Sequence, residues 1–93
     1  AWGQETPAAV TLDDVAIYQT GMDLGCRDAG RRRGDPPTKM NAVCTCMMEA
    51  LEKSMSPDEW KQATFHSMKR QDREEMLVIR PHMLKVQACR SAP

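Results

Sequence analysis

Apolar side chains recur at spacings of three and four through most of this chain, the period of helices with one face turned inward. The first such series opens at Thr11 and continues through Val15, Tyr18, Met22 and Cys26. Thr11 with Asp14 three residues on is a relative of the capping box. Gly30 reads as the C-cap, after which Arg31-Arg32-Arg33-Gly34-Asp35-Pro36-Pro37 reads as a non-helical connector. Gly21 and Gly25 lie four apart, so they either leave a smooth strip for a neighbouring backbone or mark a frayed helix end.

Thr38 starts the second helix, in which Met40, Val43, Cys44, Met47, Leu51 and Met55 keep the i, i+3, i+4, i+7 register. Ser56-Pro57-Asp58-Glu59 then supplies a third start: Ser as N-cap, Pro at N1, two acids on the positive end, and Glu59 closing the box. Met55 and Trp60 form the flanking hydrophobic staple. Beyond them the apolar marks are Ala63, Phe65, Met68, Met76 and Ile79, with a charged stretch at 69–75 between. Either one helix runs from 57 to 80 or Asp72 caps a new one. Pro81 deletes a backbone hydrogen bond and begins a short C-terminal helix. Residues 1–10, with Gly3 and Pro7 and no helical period, read as a flexible arm unless Trp2 docks on the body. Residues 11–93 are then one helical domain.

The chain has 93 residues, 41% apolar and 28% charged, with 13 basic and 13 acidic side chains. The zero balance disfavours nucleic acid as a partner, and no apolar run approaches the roughly 18 residues of a membrane span. A domain this small buries too little surface to offset its ordering entropy by a wide margin. With four aromatics against eight methionines, the core is soft as well. Cys26, Cys44, Cys46 and Cys89 answer that need: an even number in so short a chain is the arithmetic of two disulfides in an exported protein. Ala1 in place of an initiator Met suits a mature chain with its signal peptide removed, and the absence of an N-x-[ST] sequon tilts the compartment towards a periplasm. The expected location is periplasmic or secreted.

Direction constrains the pairing. Side chains two apart on a helix point about 200° from one another, so Cys44 and Cys46 face different neighbours. One meets Cys26 across a helical hairpin and the other meets Cys89; which does which stays open. For Cys89 to reach the height of the C-x-C, a long third helix to residue 80 followed by a short helix from Pro81 serves better than one helix over 73–90, which overshoots. The fold class expected is therefore a small all-α bundle of three main helices plus a short C-terminal one, stapled by two disulfides.

No nucleophile–base pair, carboxylate pair or ligand loop suggests catalysis; His66 and His82 read as surface or capping histidines. No cofactor or metal is expected. The function read from the chain is non-catalytic protein binding: an inhibitor or immunity-type protein that shields a secreted enzyme, or a periplasmic stress chaperone. In size, helicity and cysteine use the chain is similar to small periplasmic immunity and chaperone proteins, in general character and not by a motif. Arg31, Arg32, Arg33 and Asp35 are the candidate partner contacts, since clustered guanidinium groups on a proline-stiffened connector meet an acidic groove at little ordering cost. The alternative is a Cu(I)-handling protein, because Cys44-Thr45-Cys46-Met47-Met48 concentrates soft thiolate and thioether ligands.

Overall fold

The capping pairs written into the sequence start two of the helices. In the computed structural model, which describes residues 6–90, α1 spans Leu12–Arg33, α2 Pro37–Ser54, α3 Pro57–Met68, α4 Asp72–Ile79 and α5 Met83–Gln87. Single 3-10 turns occupy Pro7–Ala9, Arg80–His82 and Ala88–Arg90. The Asp14 N–H donates to Thr11 Oγ1 at 3.0 Å while the Thr11 N–H donates to Asp14 Oδ2 at 3.1 Å. Ser56 and Glu59 make the same reciprocal pair at 3.1 and 2.9 Å. Each box satisfies two of the donors that a helix start leaves orphaned.

α1 and α2 form an antiparallel hairpin: Gly30 meets Met40, Arg27 bonds Asn41, and Cys26 is bonded to Cys44. The second disulfide joins Cys46 to Cys89, so α2 is clamped to α1 on one side and to the C-terminal segment on the other. Their Cα–Cα distances, 5.9 and 5.7 Å, sit in the ordinary range for the bond. The chain is thus a small disulfide-stapled all-α bundle. Its core is the cluster of Val10, Val15, Met48, Leu51, Met55, Trp60, Ala63, Ile79 and Val86. Trp60 meets the edge of Tyr18 at 6.2 Å between ring centroids, and Met55 and Trp60 are both buried, as a staple requires.

Several local expectations are corrected. Gly30 does not end α1; it lies buried inside the helix, with Met40 packed over it. The helix runs on through Arg31, Arg32 and Arg33 and ends at Gly34, which takes the left-handed conformation at φ 80°. There the Asp35 N–H donates to the Gly30 carbonyl and the Gly34 N–H to the Arg31 carbonyl, the two bonds of a Schellman motif. The reason is electrostatic as well as conformational, because three cations suit the negative end of the helix dipole. Gly21 and Gly25 do not receive another backbone, since a Cβ at either would meet nothing within 4 Å.

The third helix is not continuous to residue 80. It ends at Met68, and α4 begins at Asp72 and folds back along α3. The turn is a second Schellman motif, with Gln71 N–H donating to His66 O and Arg70 N–H to Ser67 O. Folding back returns Ile79 to the core, which a straight continuation through the charged stretch would carry away from it. The break at Pro81 is present, and the last segment climbs α2 from His82 beside Ser54 to Cys89 beside Cys46. The expected arm also docks in part: Pro7–Ala9 packs on α3 and Val10 joins the core. Trp2 lies outside the described residues.

Candidate functional site

The arginines proposed from the sequence occupy the exposed last turn of α1. Arg31 and Arg32 pair with Asp28 at 3.6 and 3.1 Å, and Arg33 pairs with Asp35 at 3.0 Å. They are therefore helix-terminal cations with local partners, each exposed pair contributing about 1 kcal/mol or less. The stiff connector shrinks to Gly34, Asp35 and Pro36.

Cys44 and Cys46 both lie in disulfides, to Cys26 and Cys89 respectively, so the two thiolates a Cu(I) site would draw on are covalently engaged. The thioethers beside them point apart. Met48 is buried in the core, and Met47 packs at its edge on the side of the cleft between α1, α2 and α5.

His82 is the polar residue whose role the sequence hides. Its side chain is only 11% exposed and both ring nitrogens are engaged: Nδ1 with the Ser54 hydroxyl, and Nε2 with Glu59 Oε2 at 2.9 Å. Glu59 Oε1 meanwhile accepts from the Ser56 N–H. That backbone hydrogen bond, then the one with His82, holds the Glu59 carboxyl below the usual carboxylate range. One imidazole thus ties the end of α2, the start of α3 and the turn before α5. Only the Ser-Pro start was visible beforehand, because the partners lie 28 and 23 residues from His82.

The open surface belongs to α1. Ile17, Tyr18, Gly21 and Met22 form one wall of a groove of about 490 Å³, and Thr64, Ser67 and Met68 of α3 form the other. Tyr18 donates across it to the Glu75 carboxylate. Burial above all, with that hydrogen bond and the carboxylate's charge, pushes the phenol well above its ordinary range, so it remains a donor. The groove shares Ile17 and Gly21 with a shallower depression that continues along the helix to Leu24. Ile17 is 71% exposed and Leu24 59%, about two turns apart with Gly21 between. A third depression beyond them carries Asp23, Glu49 and Glu52. Asp14 and Glu75 border the first groove, and among the described residues no Lys or Arg lines any of the three. Asp23 is neutralised locally by Arg27 at 3.0 Å.

The inward stripe of Val15, Tyr18, Met22 and Cys26 marks the opposite side of α1 and does not reveal this face. The signal was present in Ile17 and Leu24, large apolar residues seven apart on the side of the helix away from that stripe. The absence of bulk at Gly21 is what opens the surface between them. No protein-family model matches the chain, and no curated protein or solved structure matches it.

Proposed function

We propose that this is an exported, non-catalytic protein-binding module of the inhibitor or immunity type, and that it docks its partner on the outer face of α1. The observation that carries the reading is the acid-bordered apolar surface of Ile17, Gly21, Leu24 and Met68. Its chemistry selects a partner segment that is apolar and basic, because half-buried Asp14 and Glu75 and exposed Glu49 and Glu52 border it and, among the described residues, no Lys or Arg lines it. The two disulfides support export, since such bonds persist in oxidising compartments. They also favour an inhibitor over a chaperone: a clamped bundle presents a fixed face, whereas a chaperone needs surface released by disorder. Among the described residues no helix is long and apolar enough to cross a membrane.

The test is site-specific photo-crosslinking of the intact oxidised chain in the source's exported fraction, with the reactive group at position 17, 24 or 32. Positions 17 and 24 should capture a common partner that position 32 misses. Ile17→Asp should then weaken that partner at least tenfold while Arg31, Arg32 and Arg33 replaced together by Ser change affinity less than twofold. The reverse pattern would return the contact to the arginines and overturn the α1 face.

A further inference from the structure

A second cleft, on the opposite side of Met22, has the reverse electrostatics. It lies between α1, α2 and the C-terminal segment, and its walls are Met22, Ala29, Val43, Met47 and Val86, with Cys26 of the first disulfide. The remaining lining residues are two arginines, Arg33 and Arg90, and among the described residues no carboxylate lines it. The direction of the chain decides where these charges stand. The segment from His82 to Cys89 runs antiparallel to α2, as the contact of His82 with Ser54 and the bond of Cys89 to Cys46 show. It therefore runs parallel to α1, so Met22 to Arg33 and Val86 to Arg90 ascend together. Arg33 stands at the upper end, about two turns beyond Cys26, and Arg90, next to Cys89, stands nearer the middle, while Met22 and Met47 close the lower end.

We infer that this cleft is a binding site for a small amphiphilic anion, a short or medium-chain fatty carboxylate, with its head between Arg33 and Arg90 and its tail towards Met47. The polarity matches: an apolar trough with two cations above its floor of Met22 and Met47 fits a single anionic head on an alkyl chain. Size matches as well, because a cleft of about 280 Å³ lies near the lower edge of the roughly 300–1,000 Å³ of small-molecule sites, which favours a short tail over a long one. The walls are preorganised. One disulfide joins α1 to α2 and the other joins α2 to the segment bearing Arg90, so the three sides of the cleft are covalently linked. Arg33 shares its guanidinium with Asp35 at 3.0 Å, whereas Arg90 has no ion-pair partner among the described residues, so Arg90 is the stronger anchor. The site is separate from the α1 docking face and stands whether or not that face binds a protein.

The experiment titrates hexanoate, octanoate, decanoate and the uncharged octanol into the intact oxidised protein by calorimetry. It is paired with NMR of the methionine methyl groups. One site should appear, tightening about fourfold per added methylene from hexanoate to octanoate and gaining less from octanoate to decanoate, with octanoate binding at least tenfold more tightly than octanol. Arg90→Gln should weaken octanoate about tenfold and leave octanol unchanged, and Arg33→Gln should do the same to a smaller degree. The Met47 methyl signal should shift on binding while that of Met68 stays fixed. Equal affinity for octanoate and octanol, no dependence on chain length, or no binding would each overturn the site. So would an Arg90→Gln protein that keeps its native spectrum and binds octanoate unchanged, or a shift at Met68 in place of Met47.

Discussion

Gly34 and Arg70 hold the same position in two copies of one helix-ending motif. Each is the left-handed residue just past its helix, at φ 80° and 57°, and each donates to the carbonyl three residues before it while the next residue donates to the carbonyl five back. Glycine takes that conformation without a steric cost, whereas an arginine pays about 1–2 kcal/mol for it.

Replacing Arg70 by Gly should therefore stabilise the domain by about 1 kcal/mol, and Gly34→Ala should destabilise it by about the same amount. Urea denaturation followed by circular dichroism measures both. An Arg70→Gly midpoint below that of the parent would show that the Arg70 side chain contributes more than its backbone costs.

Three glycines inside α1 separate helix propensity from packing. At Gly25 a Cβ would meet nothing within 4 Å, so Gly25→Ala should gain roughly 0.5–1 kcal/mol. At Gly30 the same atom would stand 2.8 Å from Met40 Cγ and 3.2 Å from its sulfur, so the propensity gain should be lost to a displaced side chain. Gly21→Ala should stabilise like Gly25→Ala and, because Gly21 lines the α1 groove, weaken partner binding. Melting curves of the three single variants give the order directly, and equal stabilisation at Gly25 and Gly30 would contradict the contact with Met40.

The two disulfides close separations of 18 and 43 residues. The loop-entropy relation assigns them about 3 and about 4 kcal/mol, together comparable with the ~5–15 kcal/mol of an entire domain. Reduction should abolish the helical signal at 37 °C. Cys46→Ser with Cys89→Ser should cost more than Cys26→Ser with Cys44→Ser. Retention of native circular dichroism in excess reductant would place the stability in the apolar core instead.

Acid should loosen the junction of α2, α3 and the turn before α5. A carboxyl whose folded value lies below its unfolded one contributes stability that is complete above the unfolded value and is lost as pH falls through the folded one. For Glu59, held down by the Ser56 N–H and then by His82, that window opens at the ordinary glutamate value of about 4.5 and extends below it. Urea midpoints taken from pH 7 to pH 3 should decline more steeply in the parent than in Glu59→Gln, which has no charge to lose. Parallel curves would remove Glu59 from the acid response.

Much of this architecture was legible in the chain because its signals are local. Thr11 with Asp14, and Ser56 through Glu59, name helix starts with side chains that bond their own backbone within four residues. The 3.6 period marked the buried side of α2, and the divergence of Cys44 from Cys46 required two different partners. What the sequence left open was decided by contacts between distant residues. Gly30 resembles a helix stop until Met40 occupies the space above it, and Arg70 resembles ordinary helix surface until the return of Ile79 to the core forces the chain to turn there. The choice of Cys44 for Cys26 and Cys46 for Cys89 depends on how α1 and the C-terminal segment flank α2. His82 likewise meets Ser54 and Glu59 only once three elements converge. Local hydrogen bonding and hydrophobic period therefore set where helices begin and which side faces inward, while their ends, their pairing and the two open clefts follow from packing between segments, which a linear pattern does not contain.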